Sequence, residues 1–276
     1  GEVVHVGEGV KAFKPGDRVA PHFMLTCGVC RDCIDGKENL CVHADVLGVT
    51  VWGGYGEYLK CGQHHVVRIP DGLNWVDAVA GQVPFATAWE ALVEVAGIRA
   101  GENVLVTAAG GGVGSAAVQI AKLAGARVIA AAGDDGKLER ARELGADEAI
   151  NYEKENIGDA ARALTGGRGV DLCLEMIGGR ILAESVDALA AGARMATIGA
   201  HGGEQVELDF VEFFRKHITV HGCGRSTKAQ VERVLDLMAQ RKLTPVVHKT
   251  FGLDEAAPAH ELMESRNFFG RMVLTR

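Results

Sequence analysis

The chain has 276 residues, 47% hydrophobic and 24% charged, a globular composition with apolar material enough for one large domain or two ordinary ones. Its formal net charge of -7 argues against a nucleic-acid or anionic-membrane surface, since phosphate binding needs clustered Lys and Arg. No uncharged apolar run approaches a membrane-spanning length and the start is not a signal peptide, so a soluble, cytoplasmic protein is expected, with neither nucleic acid nor membrane as partner.

The chain opens at Gly1 instead of Met, already inside the strand-like run GEVVHVGEGV, which points to processing or truncation of something in front of it. Residues 1–70 read as short β segments, EVVHV, DRVAPH, GEYLKC and HHVVRIP, separated by glycine-rich turns such as VGEGV and VWGGYG. Among them lies CGVCRDCIDGKENLC, which places Cys27, Cys30, Cys33 and Cys41 in the spacing C-x2-C-x2-C-x7-C. In a cytosolic chain clustered thiols read as a metal site before they read as disulfides. Short x2 spacings let two thiolates of one turn face one ion, and four thiolates at tetrahedral corners suit zinc. Four protein ligands close the shell, so this zinc is expected to be structural, with no open position for substrate. Two other readings stay open: an iron–sulfur cluster, although such runs use a tighter final spacing and a following proline, and disulfides or free thiols. The scattered Cys61, Cys173 and Cys223 read as small buried hydrophobes.

Around residue 75 the character changes. PFATAWEALVEVAG predicts a helix with Pro84 near its start and Gly97 past its end. Strands and helices then alternate: NVLVTAA, GVGSAAVQIAKLAGA, RVIAAAG and KLERARELGA, followed by EAINY, VDLCLEMIGG, ARMATIGA and HITVHGC. Short apolar runs between helices predict an α/β architecture whose parallel sheet is covered on both faces. The tail from residue 230 predicts helix, strand, helix and strand.

Between the first strand and helix of this region lies AAGGGVG, Ala108 to Gly114. A glycine-rich turn alone is weak evidence, but a strand before it, a helix after it and a second strand beyond make a dinucleotide cradle. Gly110, Gly111, Gly112 and Val113 would bring backbone to a pyrophosphate at the helix N-terminus, and Gly114 would allow close helix packing. Ala109 stands where the first glycine of the usual fingerprint would be. The second strand ends at Ala132 and Gly133, where NAD-specific sites place a carboxylate for the ribose hydroxyls. A small residue there leaves room for a 2′-phosphate, with Lys137 near enough to neutralise it, so NADP(H) is favoured over NAD(H). Asp134 and Asp135 complicate that reading, since either could reach a ribose, and Lys137 could equally be a solvated helix-start lysine.

With VGEGVKAFKPGDRV, the cysteine lobe, GGYGEYL, PFATAWEAL, GENVLVTAAGGGVGSAAVQIAKLAGARVIA, KLERARELGADEAINY and FGRMVL in order, the chain resembles a medium-chain dehydrogenase/reductase, the superfamily of zinc alcohol dehydrogenases and quinone reductases. The resemblance implies a Rossmann-type doubly wound parallel sheet at 84–222. Around it would stand a partial GroES-like β-rich catalytic domain at 1–83, with the zinc lobe at 27–41, and a return to that domain at 223–276. It implies a homodimer or homotetramer, built through HITVHGC as an edge strand. The family's catalytic zinc takes a Cys and a Gly-His-Glu histidine that would precede Gly1, and a third ligand a few residues before the TAW helix start. Here that stretch reads Gln82, Val83, Pro84, with no thiolate, carboxylate or imidazole. The chain therefore resembles the members that keep only the structural zinc, and a small-molecule carbonyl conjugated to a C=C bond (an enone, enoyl thioester or quinone) is the expected hydride acceptor. By family position Thr87, Glu175–Gly178 and Ile198–His201, including Ile177, Gly178 and Gly199, would line the nicotinamide, and Tyr152 would contact a 2′-phosphate. Thr87 and His201 are the candidate catalytic residues, with His201 also readable as a loop histidine bound to backbone. The pair His64–His65, His217 and His221 read as strand-surface residues. Two alternatives remain, an alcohol dehydrogenase with an unusual third zinc ligand and a cofactor-binding fragment without turnover.

Overall fold

Apolar residues near the start of the chain come in twos and threes between turns, and the strands they form are correspondingly short in the computed structural model, which describes residues 1–276. Strands β1 (Val19–Pro21) and β4 (Val66–Arg68) pair antiparallel, as do β2 (Met24–Leu25) and β3 (Asp45–Val46). Between β2 and β3 the cysteine segment carries one short helix, α1 (Arg31–Ile34), and a 3-10 turn at Glu38–Leu40. Two expected strands are corrected. EVVHV makes only a bridge from Glu2 to Arg18, and GEYLKC stays irregular. Alternating polarity is a local signal, whereas a strand needs a partner along its length; the first run meets the 16–19 segment only at Gly1–Val3, and the second is given no ladder. His64 and His65 fall in a 3-10 turn and His217 follows a helix with φ 53°, which leaves His221 alone on a strand.

Helix α2 (Trp75–Trp89) begins earlier than expected, so Pro84 lies inside it instead of at its start. Asn74 decides the start: its Oδ1 accepts the Asp77 amide at 2.7 Å, a cap the polar side chain supplies to an otherwise orphaned donor. Pro84 lacks the donor that would close its own turn. The helix runs on into a wide π-type turn at Glu90–Val95 and stops before Gly97, at φ 60°.

Then follow β5 (Asn103–Thr107), α3 (Gly112–Leu123), β6 (Arg127–Ala132), α4 (Asp135–Glu143) and β7 (Glu148–Asn151). After them come α5 (Ile157–Leu164), β8 (Val170–Glu175), α6 (Gly179–Asp187), β9 (Leu189–Thr197), α7 (Phe210–Arg215) and β10 (Thr219–Gly222). The six strands form one parallel sheet in the order β10-β9-β8-β5-β6-β7. Leu105, Val106, Ile129, Leu172, Leu174 and Met195 are wholly buried, as central strands covered on both faces require. The chain leaves β5 toward β7, then returns to β8 on the other side. The gap between β5 and β8 is thus the switch point, outside whose carboxyl end ligands of such sheets bind.

The tail supplies α8 (Lys228–Ala239), β11 (Val247–Gly252), α9 (Ala256–Glu264) and β12 (Arg271–Thr275), with β11 and β12 paired. Residues Gly1–Ala86, Arg225–Asn267 and Met272–Arg276 make one unit; Thr87–Gly224 and Phe268–Arg271 make the other. These limits lie a few residues beyond 83 and 222, and the tail returns Phe268–Arg271 to the sheet unit. No helix is long and apolar enough to cross a membrane.

Candidate metal centre and cofactor cradle

The four clustered cysteines converge. The Sγ atoms of Cys27, Cys30, Cys33 and Cys41 all lie within 4.8 Å of one another. Cys27 to Cys33 and Cys30 to Cys41 each measure 3.9 Å, and Cys27 to Cys41 3.6 Å. Thiolates at tetrahedral corners about 2.3 Å from a zinc ion stand roughly 3.8 Å apart, so the donor set fits that ion in both chemistry and spacing. Amides of Val29 and Cys30 aim at the Cys27 sulfur and draw its pKa down to about 6. Burial, with the neighbouring thiols, pushes Cys33 up to about 12. The opposed shifts of Cys27 and Cys33 are those of neighbouring thiols that share one charge, a competition that a cation at their centre would relieve. The lobe is tied to its own unit by Glu38, which accepts the Lys228 amide at 2.9 Å, and by Asn39, which donates to the Arg225 carbonyl. Of the scattered cysteines Cys173 is buried; Cys61 and Cys223 are half-exposed, a correction to their reading as core residues.

In the sheet unit, the turn from β5 to α3 is closed at Gly114. A Cβ there would stand 1.9 Å from the Ala108 carbonyl oxygen, so the residue serves the tightness of the turn itself. At Gly111, the N-cap of α3, a Cβ would meet nothing within 4 Å. Its backbone borders open space at a helix N-terminus, where amides and the dipole receive an anion. The stem of Lys137 crosses Gly110, 2.8 Å from where a Cβ would sit, and its ammonium lies 5.9 Å from the Phe268 ring centre. Ala132 is buried at the end of β6, and the Tyr152 ring covers Gly133. Gly110, Gly111, Gly114, Lys137, Gly133 and Tyr152 are therefore assembled around the ends of β5 and β6. Asp134 is committed elsewhere, its carboxylate capping α4 at the Lys137 amide. Asp135 pairs with Lys154 and Asn151, and the Lys154 contact holds its carboxyl below the ordinary range.

Across the switch point, the loops after β8 and β9 are stitched by backbone. Gly202 donates to the Ile177 carbonyl at 2.6 Å, Gly179 to Gly203 at 3.0 Å, and Ile198 to Glu175 at 3.0 Å. Gly178, at φ 79°, and Gly199 each lie so close to the facing loop that a Cβ would strike a carbonyl oxygen. Beneath them the Glu175 carboxyl is fully buried and accepts the amides of Ile177 and Gly178 at 2.7 and 2.9 Å. Burial raises its pKa against those hydrogen bonds. Thr87 is buried inside α2 instead of opening a helix, and His201 is exposed in the turn after Ala200. Gln82 is buried, and its amide donates to the Pro21 carbonyl at 2.6 Å.

Two features escaped the sequence. Gly270 donates to the Gly110 carbonyl at 3.0 Å and bridges Gly111, so the segment FFGRM walls the cradle, with Phe269 under the Arg140 guanidinium at 4.4 Å. The signal was the FGRMVL run, visible as a motif but distant from the turn it completes. The second is the role of Glu175: the sequence places it among the nicotinamide-lining residues, but not as a buried carboxyl that accepts the amides of the loop after it.

Residues 1–71 match the family profile of the alcohol dehydrogenase GroES-like domain, and residues 112–240 that of zinc-binding dehydrogenases. An alcohol dehydrogenase of Geobacillus stearothermophilus is 33% identical over 99% of this chain and 80% of its own. A quinone oxidoreductase of Rattus norvegicus is 30% identical over 99% of this chain and 77% of its own. A solved structure described as an NAD-dependent alcohol dehydrogenase superposes with a TM-score of 0.94 at 39% identity, covering 100% of this chain and 80% of that one.

Proposed function

As the chain belongs to the medium-chain dehydrogenase/reductase superfamily and is an NAD(P)-dependent oxidoreductase, we propose that its reaction is zinc-independent hydride transfer to a conjugated carbonyl, with zinc confined to the cysteine lobe. The observation that carries this reading is Gln82. By family resemblance a third catalytic zinc ligand would stand at or beside it, yet 82–84 offers an amide, a valine and a proline, and the amide is turned to the Pro21 carbonyl. An enone, enoyl thioester or quinone suits such a site, because hydride addition at the β-carbon leaves a charge spread over the conjugated system, which N–H donors can stabilise.

A bound nicotinamide dinucleotide would supply the hydride. The chain's own part is positioning: the α3 N-terminus at Gly111 and Gly112 holds a pyrophosphate, and the loops at Ile177, Gly178 and Gly199 bound the far half of the crevice. Thr87 and His201 remain the residues to test for contact with substrate. NADP(H) is proposed over NAD(H) because Ala132 leaves the strand end without a carboxylate, both following aspartates are engaged, and Lys137 lies over Gly110. We also propose a cytoplasmic homodimer or homotetramer that uses the open β10 edge, where Val220 is 42% exposed; Phe210 and Phe214 of the preceding α7 are also exposed, at 70% and 59%.

The experiment follows oxidation of NADPH, and separately NADH, by an enone and by the matching saturated ketone. Consumption with the enone alone, the product having lost its C=C bond, supports the reading. Chelator-sensitive turnover of the saturated ketone instead favours an alcohol dehydrogenase like the similar proteins named above. Cofactor binding without turnover of either favours a binding protein.

A further inference from the structure

Glu175 is an expensive residue in its position. It ends β8 beside the switch point, in register with Thr107 on one side and Thr197 on the other, and none of its surface is exposed. Oε1 accepts two consecutive amides, Ile177 and Gly178, Oε2 has no partner in good hydrogen-bond geometry, and the Thr197 side chain lies near enough to favour the ionised carboxyl. A leucine would fill the same space without the cost of burying a carboxyl, so packing alone does not account for it. What the carboxyl does is set the direction of the chain. It turns the 177 and 178 amides inward, which swings the Ile177 carbonyl outward to receive the Gly202 amide at 2.6 Å. Gly178 then passes so close to Gly203 that a Cβ would lie 2.4 Å from its carbonyl oxygen. The two loops have no side-chain hydrogen bond or ion pair of their own at 198–203 to fix this arrangement; backbone bonds and this one buried acceptor do it.

We propose that Glu175 is a positioning residue: by taking the Ile177 and Gly178 amides it holds the paired loops 176–179 and 198–203 in the shape that receives the nicotinamide half of the dinucleotide. The inference rests on the reading above, that the carboxyl edge of this sheet binds a dinucleotide. It separates the two halves of the crevice, since the hydrogen bonds of the Glu175 carboxyl go to Ile177 and Gly178 and none goes to the Gly110–Gly114 turn, so the adenosine half would not depend on it.

The test compares E175D with E175Q in the whole chain, with thermal melting to confirm the fold of each. Aspartate keeps the charge but loses one methylene of reach; glutamine keeps the acceptor and the reach but loses the charge. Affinity is measured for NADPH and for ADP-ribose, which lacks the nicotinamide. E175D is expected to lose NADPH affinity about tenfold or more, the worth of two weakened hydrogen bonds, and to keep ADP-ribose within about twofold. E175Q is expected to stay within about threefold of wild type for both ligands, a rescue by acceptor geometry. Equal losses for NADPH and ADP-ribose in E175D, no loss for either, or an E175Q as damaged as E175D would each overturn the inference. Should E175D fail to fold, a wild-type-like E175Q still supports the acceptor role, and an E175Q that folds but loses NADPH selectively overturns it. A wild-type chain that binds neither ligand would instead overturn the dinucleotide reading, and the inference with it.

Discussion

The cysteine lobe and the carboxyl edge of the parallel sheet are both built from loops, yet they are held by opposite means. The lobe has short elements and little buried apolar surface; Cys41 and the sulfurs facing it are its centre. The sheet edge stands on wholly buried strands and is shaped by glycines and backbone hydrogen bonds, with Glu175 beneath. A loop without a core needs a cross-link, whereas a loop on a rigid scaffold needs only its backbone directed. The first arrangement stabilises, and the second leaves room for chemistry.

The largest expected effect breaks the lobe and spares the edge. Structural zinc contributes about 10–16 kcal/mol of apparent binding energy in small domains, much of which is folding energy. Cys41→Ser should therefore remove the metal and lower the melting temperature by roughly 10 °C or more, while dinucleotide affinity below that temperature stays within about threefold. Metal analysis, melting and a cofactor titration check it; an unchanged melt would show that no metal holds the lobe.

Next comes a contrast within the cradle. Gly114→Ala places a methyl against the Ala108 carbonyl and should destabilise by about 3 kcal/mol, at the upper end of overpacking costs. Gly111→Ala meets open space at φ -81°, so it should keep stability within about 0.5 kcal/mol and lose cofactor affinity, because its methyl would enter the space proposed for the phosphate. Chemical denaturation and titration of both variants separate turn geometry from ligand space.

Lys137→Ala sharpens the comparison further. It should weaken NADPH about tenfold, the size of a lost charge-assisted contact, and leave NADH within about twofold. Equal effects on both cofactors would mean that Lys137 only packs against Gly110 and Phe268.

The smallest effect is a pH dependence. Burial lowers the pKa of His22, whose Nε2 has no partner. The unfolded chain then takes up the proton first as pH falls. The contribution of the neutral ring is complete above the ordinary histidine pKa of about 6.5 and is lost as pH falls toward the folded value. Stability measured from pH 7.5 downward should show that loss, and His22→Leu should remove it.

What was legible in the sequence was what is local in the chain. Cys27, Cys30, Cys33 and Cys41 lie within one lobe, and Ala108–Gly114 lies between a strand and the helix it opens, so spacing alone located both. Pro84 misled because the cap that starts α2 is Asn74, and a capped helix tolerates an interior proline that an isolated propensity argument places at its first turn. GEYLKC misled because polarity alternates without a neighbour to pair. The sequence names Glu175 and the FGRMVL run but not what they do, for a shared reason: their roles lie in hydrogen bonds to segments whose position only the folded sheet determines.

The proposed division between a metal-stapled lobe and a chemically active sheet edge is most directly tested by counting zinc per chain in protein that turns over an enone. One zinc, lost in Cys41→Ser and absent from the rate law at temperatures where the protein stays folded, is the expected result. Two zinc ions per chain, with enone turnover that vanishes as the second is removed, would place a metal at the reacting centre and contradict the account.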